Sequence, residues 1–374
     1  MSIFGDLFNV KQSPIFTGLR FGFGSASGVT EDPPVVEVLF SNYTTSYQDD
    51  GSRDSSPTKV LSPSIQYLYV LGVGGGGATG NTVDTGDNGA GGGGGGAGLN
   101  KITGYQIPGA SQGSPIQVLV GRGGYTDHAG TSTQLKINGS VALEFGGGGV
   151  GGDGNGPRLG GSGGTFASPG LTRLSTFPDL NERNGGAGGD GGVREGGGAQ
   201  PGQPGNNSVT GGGGGGGAHL SNRNGGNGGY SNQAPNPQGG VESTKTYDVV
   251  QQNFAGSFPN PFPISLTGQN GANQRGPNGY GSANRNTTDN DNGLTLGGGG
   301  YGADSNTGAG AGAGGGHVIN TPNDPGDNGF GGGGGGMRAY STTPGVDPIA
   351  KGWGGPGYII VVGSSFELVD GVNY

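Results

Sequence analysis

The amino-acid sequence predicts a mainly β and irregular fold, in which short β-strands frame a bundle of polyproline-II glycine helices joined by long loops, with almost no α-helix. Three observations carry this. Glycine supplies 99 of 374 residues and proline 23, which base rates assign to low-complexity disorder unless the glycines hold fixed positions. They are not randomly placed: Gly86-Asp87-Asn88-Gly89-Ala90 followed by six glycines returns as Gly326-Asp327-Asn328-Gly329-Phe330 followed by six glycines. Loose linker composition rarely reproduces both a turn and a run length. Finally, apolar strand-like runs empty directly into glycine, so the two kinds of segment are parts of one architecture.

Ordered glycine needs compensation, because it loses more backbone freedom on folding than any other residue. A polyproline-II chain has a period of three and no internal hydrogen bonds, so its N–H groups must pair with neighbouring chains. Glycine stands at every third position through Gly86, Gly89, Gly92, Gly95 and Gly98, and again through Gly326, Gly329, Gly332 and Gly335. The collagen triple helix is rejected: the period breaks between segments and proline rarely fills the intervening places.

Taken in order, residues 1–34 crowd Phe4, Leu7, Phe8, Ile15, Phe16, Leu19, Phe21 and Phe23 into a short arm that also carries Lys11 and Arg20. So many large apolar groups need a covering surface, which makes this an attachment arm and those eight residues docking candidates. Residues 35–145 read as a β-rich framework with the first glycine segments. Within it, 35–40 is a strand after Pro33-Pro34, 41–63 a polar, turn-rich loop, and 65–73 an alternating strand running into glycine. Residues 116–120 form another strand, while 134–138 and 141–145 form a hairpin about Asn138-Gly139. Residues 146–363 read as a glycine-rich bundle with loop insertions, of which about 241–266 projects. That span closes on an apolar strand at 358–362, and 364–374 is a C-terminal tail. No 3.6-residue apolar pattern survives the glycines, so helix is nearly absent.

Composition narrows the function classes. There is no cysteine and therefore no disulfide or thiolate site. The formal net charge of −9 argues against a nucleic-acid partner, which would need clustered Lys and Arg. Residues 1–6 lack the basic start and apolar core of an export signal, and no stretch of about 18 apolar residues occurs, so a soluble chain is expected.

Little supports catalysis or metal binding. Residues 148–153 and 185–190 match the opening of the calcium β-roll nonapeptide, but its large apolar position is filled by Asn155 and Gly192. Residues 289–293 open like an EF-hand loop without a closing glutamate. His128, His219 and His317 fall in no ligand or triad spacing, and Asp127-His128 reads as a surface-loop dyad. The many Gly-x-Gly-x-x-Gly matches follow from composition, with no phosphate-binding lysine signature. The expectation is a non-enzyme with no catalytic residue, no metal and no cofactor. Loop aromatics are the better lead, because Tyr and Trp give rigid contact area at low entropy cost. Tyr125, Tyr230, Tyr280, Tyr301, Tyr340 and Trp353, with Phe254, Phe258 and Phe262 of the projecting insertion, are the contact candidates; equally, the tyrosines and Trp353 cap glycine backbone.

The order of these parts resembles the glycine-rich domain of bacteriophage tail-fibre and other phage structural proteins. Tyr67-Leu68-Tyr69-Val70-Leu71-Gly72-Val73-Gly74 matches its strand entering glycine, Val120-Gly121-Arg122-Gly123-Gly124 its Val-Gly-x-Gly-Gly, and Gly355-Pro356-Gly357-Tyr358-Ile359 its closing strand. The resemblance spans roughly 64–363. More narrowly, the chain is similar to the distal tail-fibre adhesins of T-even-type phages, whose polyglycine-II bundles display host-binding loops. The loops here are longer and match none of theirs residue by residue, so receptor specificity does not carry over. The resemblance implies a protein of the virion surface that mediates host attachment. Its partners would be other virion structural proteins, through the arm, and a bacterial surface protein or polysaccharide; a homo-trimer is one assembly it allows. Its alternatives are a purely structural virion fibre or decoration protein, and a cellular extracellular-matrix or adhesion protein.

Overall fold

The computed structural model describes residues 35–43, 47–48, 52–80, 91–99, 102–125, 127–153, 158–176, 184–192, 194–195, 198–199, 202–203, 205–206, 208, 266–268, 294–296, 331–333 and 353–368. These are mostly β-strands in sheets. A single 3₁₀ turn at Gly109–Ser111 is the helical element among them.

Two antiparallel sheets share one apolar core. In the five-stranded sheet the order is Val36–Tyr43, Tyr358–Ser364, Tyr67–Val73, Thr103–Gln106 and Thr172–Arg173. The second sheet runs Phe166–Ala167, Ser140–Phe145, Thr133–Ile137, Pro115–Gly121 and Arg53–Ser55, with Lys59–Val60 also pairing on Pro115–Gly121. Tyr67–Val73 and Tyr358–Ser364 are nearly continuous apolar runs because both their faces are covered. Leu68, Val70, Leu71, Ile359, Val361 and Val362 are all fully buried, each side chain contributing about 1.5–3 kcal/mol. The sheets meet closely where the Phe145 ring lies 2.9 Å from the place a Cβ on Gly72 would occupy. Phe145 also packs on Phe166, ring centroids 5.4 Å apart.

The hairpin about Asn138-Gly139 forms as its sequence expects. Both turn residues have positive φ, 51° and 75°, the geometry that matches the twist of the flanking strands. The expected loop over 41–63 is corrected: Ser41 to Tyr43 extend the first strand, and Arg53–Ser55 and Lys59–Val60 are short strands. Arg53–Ser55 and Lys59–Val60 lie at a sheet edge and are largely exposed, so they carry no buried apolar alternation for a sequence reading to detect. Lys59 instead reaches across to donate to the Leu39 carbonyl, its ammonium 5.1 Å from the Phe40 ring centroid.

Glycine segments continue from one common end of this pair of sheets. Gly74 follows Val73, Gly146 follows Phe145, and Gly357 precedes Tyr358. Thr133 ties that end together: its hydroxyl donates to Val73 O at 2.8 Å and accepts from Gly121 N at 2.9 Å. Beyond it, hydrogen bonds between segments recur every third residue. Gly74, Gly77 and Gly80 donate to Ala97, Gly94 and Gly91 at 2.8, 2.8 and 3.2 Å; Ala97, Gly94 and Gly91 donate in turn to Gly146, Gly149 and Gly152 at 2.9, 2.8 and 2.9 Å. Those three donate onward to Thr165, Ser162 and Leu159. Gly185, Gly188 and Gly191 donate to Gly164, Gly161 and Arg158, and Asn206 and Gln203 donate to Ala187 and Asp190.

Within one segment the direction rotates. Gly74 N bonds Ala97 O, Gly75 N bonds Thr131 O, and Gly76 N bonds Gly355 O; Gly77 and Ala78 then return to Gly94 and His128. Three neighbours are thus served in turn, where a β-strand would serve two. The arm 1–34 and most of the projecting insertion lie outside the described residues.

Candidate functional site

Within the described residues, the loop joining Pro115–Gly121 to Thr133–Ile137 brings two of the sequence-predicted contact residues together. Its base is fixed by Arg122. The guanidinium bonds Asp54 Oδ1 from Nε at 3.0 Å and Nη2 at 2.5 Å, and Ser52 Oγ from Nη1 at 2.5 Å. Arg122 N donates to Thr131 Oγ1 at 2.8 Å and Thr131 N returns a bond to Arg122 O at 3.0 Å, closing the loop on itself. On the glycine side, Gly124 N donates to Gly76 O at 2.8 Å and Ala78 N donates to His128 O at 3.0 Å. Tyr47–Gln48 pairs in parallel with Gly123–Gly124.

Tyr125 sits on this pinned loop with 37% of its surface exposed. Gly354 N donates to Gly124 O at 2.9 Å, and that bond places Trp353 beside Tyr125. The rings stand 4.5 Å apart at 49°, and Trp353 is half-buried. Asp127 holds φ at 65°, a conformation uncommon for a residue with a side chain. His128 is exposed, and its Nδ1 lies 2.9 Å from Tyr125 O. A carbonyl only accepts, so Nδ1 carries the hydrogen of this bond.

Tyr230, Phe254, Phe258, Phe262, Tyr280, Tyr301 and Tyr340 lie outside the described residues. So do Phe4, Leu7, Phe8, Ile15, Phe16, Leu19, Phe21 and Phe23, and also His219, His317 and residues 289–293. The β-roll-like stretches are part of the glycine ladder: Asp190 Oδ1 accepts from Gly160 N at 2.7 Å. Among the described residues, no group of three or more His, Asp or Glu side chains could hold a metal ion.

A polar cluster on the second sheet was not anticipated. Gln134 Nε2 donates to Glu144 Oε1 at 2.8 Å, and Arg53 Nη2 donates to Ser132 Oγ at 2.8 Å. Burial works to raise the Glu144 carboxyl, but hydrogen bonds from Gln134 and Ser132 and the charge of Arg53 outweigh it and hold the carboxyl below its ordinary value. On the first sheet, burial alone pushes the Tyr358 phenol well above its ordinary range.

No protein-family model matches this chain, and no curated protein matches it.

Proposed function

We propose that the glycine segments form a polyproline-II-type bundle, and that this bundle is the rigid scaffold of a phage virion appendage protein that attaches the particle to its host through loops. The observation that carries the scaffold is the rotation of amide donors through three neighbours along 74–78, the signature of a threefold backbone with no bonds of its own. Close packing of that kind excludes a side chain at many positions, in keeping with 99 glycines. The attachment role is supported by the resemblance of the strand and glycine motifs to phage tail-fibre proteins, and by the exposed Tyr125 beside Trp353 on a loop pinned at both ends. The role is non-enzymatic: the geometry supports display and contact. The apolar arm 1–34 would dock the chain to other virion proteins.

Electron microscopy of particles labelled with antibody to the full chain tests this. Label at a distal appendage together with blocked adsorption is the expected result. Label with undiminished adsorption would make the chain a purely structural fibre, and unlabelled particles would contradict a virion role.

A further inference from the structure

Resting on the threefold-bundle reading, we infer that segments 146–152 and 158–165 form an open docking groove for one more polyproline-II strand, and that a second copy of this chain supplies it. The groove follows from the directions of the backbone bonds. Gly146, Gly149 and Gly152 donate to segment 158–165 and accept from segment 91–97. Gly148 and Gly151 donate to segment 74–78, and Gly148 O accepts from Gly130 N. In a threefold chain this leaves one donor row, Gly147 N and Val150 N, and one acceptor row, Gly147 O and Val150 O. Neither row meets a partner among the described residues. Segment 158–165 keeps a matching row. Its Gly161 and Gly164 donate to Gly92 and Gly95, and Gly160 N is taken by the Asp190 carboxylate, while the amides of Leu159, Ser162 and Thr165 meet no acceptor among the described residues. That row lies against segment 146–152: a Cβ on Gly149 would stand 2.9 Å from Ser162 N, and one on Gly146 2.8 Å from Thr165 N. Acceptors of one segment and donors of the other therefore border the same groove.

Val150, Leu159, Ser162 and Thr165 are exposed, so this groove faces water. Open backbone rows are normally covered or guarded by charge. The far side of the ladder is covered, since Asn206 and Gln203 donate to Ala187 and Asp190. By contrast, 146–152 and 159–165 hold no charged side chain at all. A proline-rich occupant could offer carbonyls to Leu159, Ser162 and Thr165, but it lacks the N–H groups that Gly147 O and Val150 O require. A glycine strand serves both rows, and segment 146–152 is itself such a strand. Laid antiparallel in the groove of another copy, it would present its Gly147 and Val150 N to that copy's Gly147 and Val150 O. Its own acceptor row would then face the amides of Leu159, Ser162 and Thr165. The formal net charge of −9 opposes association of copies in general, but the faces that meet here are neutral. A contact of this width is small, so the pair forms reversibly.

Sedimentation of the purified full chain over a wide concentration range tests this, with amide exchange read at the low and high ends. The expected result is a shift toward twice the monomer mass as concentration rises, with slower exchange at Gly147, Val150, Leu159, Ser162 and Thr165. Ser162→Pro deletes one groove amide but keeps the carbonyl at 162 that Gly149 N bonds, and its fixed φ suits a polyproline-II backbone. It should keep the parent melting temperature and weaken association at least ~5-fold. Ser162→Ala, which retains the amide, should associate like the parent. Leu159→Glu changes an exposed side chain and adds a carboxylate that pairing would desolvate, so it should also weaken association and gives a reading independent of the proline variant. A monomer at every concentration, or association unchanged in both Ser162→Pro and Leu159→Glu, would overturn the inference. So would slowing of those amides in intact particles alone, which would give the groove to a different protein. The amides of Gly74, Gly77 and Gly94, which bond inside the ladder, stay protected in each of these cases, so failure here is distinguishable from failure of the bundle reading.

Discussion

At Gly94 an added methyl group would run into the carbonyl oxygen of Ser162 on the neighbouring segment, whereas at Gly109 it would meet nothing within 4 Å. Replacing each by alanine therefore separates steric need from mere composition. Gly94→Ala should destabilise by about 1–3 kcal/mol, since backbone must shift to accommodate it. Gly109→Ala should be neutral or stabilising by up to ~1 kcal/mol, through the entropy of the unfolded chain. Denaturant unfolding of the two variants decides the matter, and equal effects would deny the ladder its close packing. Glu144 gives a second test at this scale. Its carboxyl is held below the ordinary value, so the stability it contributes is fully present above the unfolded carboxylate value near pH ~4.3 and is lost as pH falls through its lowered folded value. Glu144→Gln should accordingly reduce the drop in melting temperature between neutral and acid pH, measured against the parent chain.

The element scale shows what joins strand to glycine. Thr133 is fully buried and bridges Gly121 N and Val73 O, one group from each sheet. Thr133→Val keeps the shape and deletes both bonds, so thermal unfolding should report a loss of about 1–3 kcal/mol from buried groups left unsatisfied. Thr133→Ser, which keeps the hydroxyl, should lose less. Strands with apolar alternation or a strong turn were legible in the sequence: 65–73, the hairpin about Asn138-Gly139 and 358–362 fall within two residues of the observed elements. Thr103–Gln106 escaped because Tyr105 is its one large apolar residue, and Arg53–Ser55 because it is polar and largely exposed. The Gln134–Glu144 pair escaped for a different reason. Counting outward from the turn pairs Gln134 with Leu143, and a bulge between Val141 and Leu143 shifts the partner to Glu144.

For the molecule as a whole, the long-range arrangement decides both fold and site. Tyr125 and Trp353 were each legible as aromatics bordered by glycine, but their meeting was not. It depends on Gly354 bonding Gly124, between segments far apart in the chain, and no local pattern encodes that. The same holds for Tyr358–Ser364, which reads as a closing strand yet lies between Val36–Tyr43 and Tyr67–Val73 at the heart of its sheet. Leu368 N adds a clamp on Tyr69 Oη at 2.5 Å. Deleting residues 353–374 would strip both flanking strands of their neighbour, so the truncated chain should show no cooperative thermal transition by circular dichroism; a transition like that of the full chain would contradict this sheet order. The described glycine segments depend on the same long-range closure, because the amides of Gly74 to Ala78 and of Gly91, Gly94 and Ala97 are answered by other segments. Residue-resolved amide hydrogen exchange tests this most directly. Amides of Gly74 to Ala78 and of Gly91, Gly94, Ala97, Gly146, Gly149, Gly152, Gly185, Gly188 and Gly191 should be protected to the level of Tyr67–Val73 and exchange with it in one cooperative unit; exchange at open-coil rates at those amides, beside protected strands, would contradict the shared ladder.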